Sequence, residues 1–216
     1  MNAGTARWPF PERRPFHGRA VDLEPLAAEH VTELWGCADG ADHSFEYLRY
    51  GPFASESELL AQVLELAGRV DQPFWVVEPK SSGRAEGWLS LCDTFPADGA
   101  IEIGSIWFAP SLQRTRAATE AIFLLMAYAM DVLGYQRLVW RRQQANQASL
   151  NAAARYGFVS EGRWRGSAFF KGRRWDQAWH SIVADEWPGR RAAISAWIAD
   201  DNFDEDGKAR APLRRP

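Results

Sequence analysis

The sequence predicts an α+β fold on a mixed, mostly antiparallel central sheet flanked by helices. Three observations carry this. Residues 73–79, 85–95 and 100–108 read as strands joined by tight turns, Ser81-Ser82-Gly83 and Pro96-Ala97-Asp98-Gly99, which makes an antiparallel meander. Residues 115–134 are apolar nearly all round and end at Gly134, the pattern of a long buried helix with a glycine cap. Residues 137–141 follow as a strand, so strand 100–108, helix and strand form a βαβ crossover whose two strands run parallel.

The remaining elements follow in order. Residues 1–17 are rich in Pro and Arg and are expected as an irregular arm. Residues 18–26 alternate as a short strand, and 27–38 and 55–70 carry helical apolar spacing. In the second helix Leu59, Leu60, Val63, Leu64 and Ala67 make one face, and Ser55 with Glu58 makes a capping box. Between these helices lies an aromatic loop, 43–53, which either packs a helix or lines a ligand groove. Residues 147–156 form a helix stopped by Gly157, and strands near 158–165 and 175–184 close the sheet through a turn at 171–174. Pro188 opens a last helix to about Ile198, and the charged stretch 200–216 is expected to be mobile except where Phe203 anchors it. The expected plan is thus an arm at 1–17, one domain at 18–187, and a C-terminal helix and mobile tail at 188–216.

Composition narrows the function. At 216 residues with 46% hydrophobic, one domain with a sizeable core is expected. A net charge of −3 argues against non-specific nucleic-acid binding, which needs a basic field. The two cysteines, Cys37 and Cys92, show neither disulfide framework nor zinc spacing, and His17, His30, His43 and His180 share no spacing, so no metal site is expected. With no apolar run of transmembrane length and no signal-peptide pattern, a cytoplasmic protein without a membrane partner is expected. The 11 tryptophans are scattered, which suits core, groove and interface rather than a repeat.

The junction at 110–121 is the most informative stretch. A strand delivers the chain to a turn that opens a helix, whose first N–H groups lack intrahelical partners and carry partial positive charge. Arg114 and Arg116 add two fixed charges. The bland reading is a solvated basic turn; the functional one is a pyrophosphate cradle.

Four stretches give the chain a family likeness: Ile101-Glu102-Ile103-Gly104, the turn Gln113 to Ala121, Asn146 to Ser149 with Gly157-Phe158, and Lys171-Gly172 with Asp176. In these it resembles the GCN5-related N-acetyltransferase (GNAT) family, within it the branch of ribosomal-protein N-terminal acetyltransferases. The resemblance implies acetyl-CoA as donor and direct attack by an amine. It implies pyrophosphate contacts from Gln113, Arg114, Thr115, Arg116, Ala117 and Ala118. It implies that strand 103–108 splays from strand 137–141 to admit pantetheine, with a backbone N–H among Ile106, Trp107 and Phe108 polarising the thioester. Two positions depart from the pattern. Arg116 stands where Gly is usual, so it takes an ordinary conformation or leans away and uses its guanidinium on phosphate. Ala153 stands where many members carry a Tyr general acid, and Tyr156 is one turn too far along to inherit that role.

Individual residues carry two readings each. Glu102 is either an ordinary exposed strand charge or the base, direct or through water, that deprotonates an incoming ammonium. Asn146 caps a helix, bonds pantetheine amides, or does both; Ser149 is a tolerated cap neighbour or a proton donor to the departing thiolate. Trp35, Tyr47, Tyr50 and Trp88, with Phe45 and Phe53, either pack the core or line the acceptor groove. Glu120 complements the helix dipole or pairs with a nearby Arg. Two functions compete: an N-acetyltransferase acting on a protein N-terminus or small amine, and a non-catalytic acyl-CoA-binding module. A homodimer contact through Trp187, Ile194, Trp197 and Ile198 competes with docking of that stripe on the protein's own sheet.

Overall fold

Strands β1 (Phe16–His17), β2 (Val21–Pro25), β3 (Phe74–Pro79), β4 (Gly87–Phe95), β5 (Ala100–Phe108), β6 (Arg137–Gln143), β7 (Val159–Phe170) and β8 (Arg173–Val183) join in one sheet in the computed structural model, which describes residues 8–213. Their order is β1-β2-β3-β4-β5-β6-β8-β7. Every neighbouring pair is antiparallel except β5 and β6, the two ends of the crossover. Helices α1 (Val31–Ala38) and α2 (Glu56–Gly68) cover one face of the sheet; α3 (Arg116–Ala127), α4 (Gln147–Arg155) and α5 (Trp187–Trp197) cover the other. Strand alternation divides the core accordingly. Leu89, Leu91, Ile101, Ile103 and Leu138 face α3, while Phe74, Val76, Trp88 and Trp107 face α1 and α2.

Two bulges interrupt the β4–β5 ladder. Ser105 and Ile106 oppose Leu89 alone, and Asp93 and Thr94 oppose Ile101 alone. Ser105 (φ 49°) and Asp93 (φ 40°) both take the left-handed conformation at these points. Helix α3 runs into a π turn at Tyr128–Val132 and stops at Gly134 (φ 73°), a conformation that glycine adopts without steric cost.

The described part of the N-terminal arm is a packed strap. Trp8 donates to the Gly134 carbonyl (2.8 Å), Tyr135 to that of Pro9 (3.0 Å) and Trp75 to that of Arg14 (2.7 Å). Glu120 is buried in α3 and accepts the N–H groups of Arg19 (2.8 Å) and Ala20 (2.6 Å), so it pins the β1–β2 turn rather than pairing with an arginine side chain. On α2 the buried face is Leu59, Val63 and Leu66; Leu60 and Leu64 lie at its edge in solvent, because the helix packs on the sheet by a narrower stripe than the spacing predicted.

The C-terminal region also departs from expectation. Trp187, Ile194, Trp197 and Ile198 are buried in the protein's own core, with Trp187 against Phe123 of α3, so this stripe offers nothing to a second copy. Beyond it the described part of the stretch expected to be mobile, 200–213, is tied down, and 214–216 lie outside the described residues. Trp197 donates to the Ala211 carbonyl (2.9 Å), Asn202 to that of Trp197 (2.8 Å), Phe203 bridges Ala209, and Asp200 pairs with both Arg19 and Arg116. A short polar tail is held because each of its backbone turns finds a partner on α3, α5 or itself.

Candidate active site

Strands β5 and β6 part where the site begins. Their parallel pairing among the described residues runs through Ala100–Arg137, Ile101–Leu138 and Glu102–Val139, then ends, although both strands continue. Beyond Glu102 β5 makes no ladder pairing with β6, and on this stretch the Ser105 and Phe108 carbonyls accept from the Tyr50 and Gln113 side chains. The bulge at Ser105 bends β5 locally just beyond the last β5–β6 pair.

The aromatic loop spans this gap. Tyr50 donates to the Ser105 carbonyl on β5 (3.4 Å), and Tyr47 donates to the Ala145 carbonyl beyond β6 (3.4 Å). The hairpin between β7 and β8 meets the same loop: Lys171 donates to the Phe45 carbonyl (2.6 Å), and Tyr47 lies edge-on to Trp175. Tyr47 and Tyr50 therefore sit at the gap, one on each side of it. Trp35 packs on the α1–α2 cluster instead. Trp88 is wholly buried between Phe45, Tyr50 and Trp107, so it has no surface to offer an acceptor; size and position in a strand outweigh its polar ring edge.

At the helix end, Thr115 caps α3. Its hydroxyl accepts from the Ala118 N–H (3.0 Å) and donates to the Leu112 carbonyl (2.7 Å). That leaves the N–H groups of Arg116 and Ala117 without intrahelical partners. Gln113 turns back onto the Phe108 carbonyl (3.0 Å), and Arg114 (φ 64°) holds its exposed side chain with no hydrogen-bond partner among the described residues. Arg116 occupies the first helical position with ordinary backbone, and its guanidinium leans away. It donates to the Ile198 carbonyl (3.0 Å), pairs with Asp200 (2.6 Å) and stacks on Phe203. The expectation that this guanidinium serves phosphate is thus corrected, since the C-terminal segment already neutralises it.

Across the gap, Asn146 caps α4 by accepting the Ser149 N–H (3.0 Å), and the Ser149 hydroxyl accepts from the Trp140 indole (2.9 Å). The Ser149 hydroxyl proton remains available to donate. Ala153 is fully buried, and Tyr156 is buried against Trp140, with burial holding its phenol protonated. Ile106 and Phe108 pack partly against the α3-side core, while Trp107 points the other way and donates to Ser44 (2.9 Å).

Glu102 is not an exposed strand charge; it is 4% exposed. One carboxylate oxygen, Oε2, is buried with no hydrogen-bond partner among the described residues and lies 3.3 Å from the Arg141 guanidinium. Burial pushes its pKa up to about 8, Arg141 opposing and Asp93 assisting that rise. Gly104 makes room for it: a Cβ there would sit 2.9 Å from Glu102 Oε1 and 3.0 Å from the Cys92 sulfur. Both thiols are pushed up by burial, the reverse of what a nucleophilic cysteine needs. Arg141 and Asp93 were missed in the sequence. The spacing of Arg141 from Val139 put it on the face of Glu102, but the bulge that turns Asp93 toward it leaves no periodic signal.

The family model for an acetyltransferase (GNAT) domain matches residues 21–159. A GCN5-related N-acetyltransferase from Brucella melitensis is 40% identical, with a TM-score of 0.93 over 97% of this chain and 96% of its own. The Microcin C7 self immunity acetyltransferase MccE, whose structure holds acetyl-CoA and AMP, shares the fold (TM-score 0.68, 77% of this chain and 93% of its own) at 20% identity. YdaF of Bacillus subtilis (strain 168), provisionally named a ribosomal N-acetyltransferase, is 28% identical over 105 residues, spanning 49% of this chain and 57% of its own length. Among the described residues, no helix is long and apolar enough to cross a membrane.

Proposed function

We propose, for a chain that belongs to the GNAT acetyltransferase family, that it acetylates a primary amine by direct attack, with an α-amino group such as a protein N-terminus as the favoured acceptor. The observation that carries the reading is the parting of β5 and β6 directly after Glu102, beside the open end of α3. The residues present fit the family's acyl donor. The unpaired β5 edge suits the amides of a pantetheine arm, and the Arg116 and Ala117 N–H groups with the Arg114 guanidinium suit a pyrophosphate. When bound, acetyl-CoA supplies the acetyl group as a thioester.

The chain's own residues do the rest. The Tyr47 and Tyr50 loop roofs the gap and limits water. A primary amine arrives mostly as an ammonium, whose lone pair is blocked, so a proton acceptor is required. Glu102 takes that proton, directly or through water. Burial lifts the Glu102 carboxyl to where it can hold a proton near neutral pH, and an α-amino group, of pKa about 8, gives one up more readily than a lysine at about 10.4. Asn146 and Ser149 sit at the far wall of the gap, where the serine hydroxyl donates toward a departing thiolate. The resemblance to YdaF gives the same direction for the acceptor.

The test is thiol release on mixing the protein with acetyl-CoA and a panel of α-amine peptides, lysine derivatives and polyamines. Release with α-amine peptides at a kcat/KM at least about tenfold above the others is expected, because at neutral pH far more of the α-amine is free base. CoA binding with no thiol release from any amine would assign the chain to the non-catalytic alternative. Within the site, Arg114→Ala should weaken CoA binding several-fold, as loss of one phosphate charge does, and the effect should shrink in high salt. Arg116→Ala should leave CoA affinity near wild type and lower the melting temperature, because its guanidinium serves the C-terminal segment. Isothermal titration and thermal unfolding of the two variants check this contrast.

A further inference from the structure

Glu102 is served by a device that the reaction alone does not explain. Arg141, on β6, stands two positions beyond Val139, the last residue paired with β5, and on the same face as Glu102. Its guanidinium lies 3.3 Å from Glu102 Oε2, hydrogen bonds to Asp93, and lies over the Trp179 ring at 5.1 Å. Asp93 reaches it because β4 carries a bulge at 93–94, with Asp93 in the left-handed conformation (φ 40°). Such a conformation is disfavoured for a non-glycine residue, so the surroundings must offset it. Without the bulge, strand alternation would turn Asp93 to the opposite face from Cys92 and Glu102. The titratable and charged groups facing Glu102 among the described residues are therefore Cys92 and Asp93 from β4 and Arg141 from β6.

We propose that Arg141 is a positioning residue that keeps the buried Glu102 carboxyl able to ionise, and that the β4 bulge seats Asp93 to hold Arg141 in place while tempering its effect. This rests on Glu102 being the base. The logic is electrostatic and directional. Arg141 favours the carboxylate, Asp93 disfavours it, and the pair at one site brackets the proton affinity of Glu102 between that of an isolated buried acid and that of a tightly paired one. Arg141 is three-quarters hidden, so its attraction is only partly screened by solvent.

The experiment follows the Glu102 carboxyl itself. Protein carrying 13C at the glutamate carboxyl carbons, with the Glu102 resonance assigned by its loss in Glu102→Gln, is titrated without any ligand. Arg141→Met, which keeps an apolar stem over Trp179, should move the Glu102 midpoint to higher pH by about one unit or more, a tenfold change in the ionised fraction. Asp93→Asn, which keeps an amide oxygen to accept from Arg141 and loses only the charge, should move it to lower pH. Arg141→Lys, which restores a charge, should bring the midpoint back toward wild type. If Arg141→Met does not fold, Asp93→Asn is still expected below the wild-type midpoint and Arg141→Lys at or slightly above it, and an Asp93→Asn midpoint at or above wild type overturns the proposal. A midpoint unmoved by Arg141→Met, or moved the same way by Arg141→Met and Asp93→Asn, overturns the proposal. The kinetic reading is separate: a kcat/KM limb that survives in Glu102→Gln removes Glu102 as the base, while the titration still decides whether Arg141 controls its ionisation.

Discussion

Glu102→Gln should lower turnover at least about a hundredfold, the lower end of what a positioned general base contributes, while CoA affinity stays near wild type. Gln keeps the volume and one hydrogen-bonding oxygen but cannot accept the ammonium proton. In the wild type, kcat/KM should rise with pH through the ionisation of Glu102 near 8, and that limb should be absent in the variant. Stability should respond with the opposite sign. The folded carboxyl binds its proton up to about 8, whereas an unfolded glutamate releases it near 4.5, so the native state holds more protons between those values. Wild-type stability therefore falls as pH climbs across that window, and Glu102→Gln, with no buried charge to create, should fall less. Melting temperatures of both proteins at pH 5 and pH 9 give the comparison. Equal pH dependence would mean that water reaches Glu102 freely, and full turnover in the variant would remove it from the chemistry.

The sheet, the crossover and the helix end were legible in the sequence because each rests on local patterning: alternation in 73–108, apolar periodicity in 115–134, and a glycine stop at Gly134. Glu102 was legible as a position but not as a buried one. Its burial depends on Cys92 and Arg141 arriving from two other strands, beside the space that Gly104 leaves on β5 itself, and strand neighbours are set by topology rather than by periodicity. Arg116 shows the converse limit. A basic residue beside a helix end reads as an anion ligand, yet Asp200 and the Ile198 carbonyl, more than eighty positions away, take its guanidinium first. The polar tail lacks the apolar spacing by which a packed segment announces itself, so its docking through backbone carbonyls was invisible.

Trp88→Ala should be the most destabilising single change in the aromatic layer beneath the gap. Trp88 is fully buried, stacks obliquely on Trp107 with ring centroids 4.5 Å apart, contacts Phe45, and donates its indole N–H to the Tyr50 hydroxyl at 2.9 Å. Truncating a buried aromatic to Ala removes its transfer energy and leaves a cavity, together about 3–5 kcal/mol. At about 2–4 °C per kcal/mol for a chain of this size, the melting temperature should drop by about 10 °C. Function should follow indirectly. Tyr50 bridges Trp88 and the Ser105 bulge, so losing the indole loosens the wall that sets the β5 bend. Trp88→Phe, which keeps most of the ring and loses only the N–H, should recover much of the stability while still leaving the Tyr50 hydroxyl one partner short. An acceptor-lining tryptophan would behave otherwise: Trp88→Ala would raise the acceptor KM and leave the melting temperature unchanged. Thermal unfolding of the two variants, beside their acceptor KM values, separates a floor of the site from a wall that touches substrate.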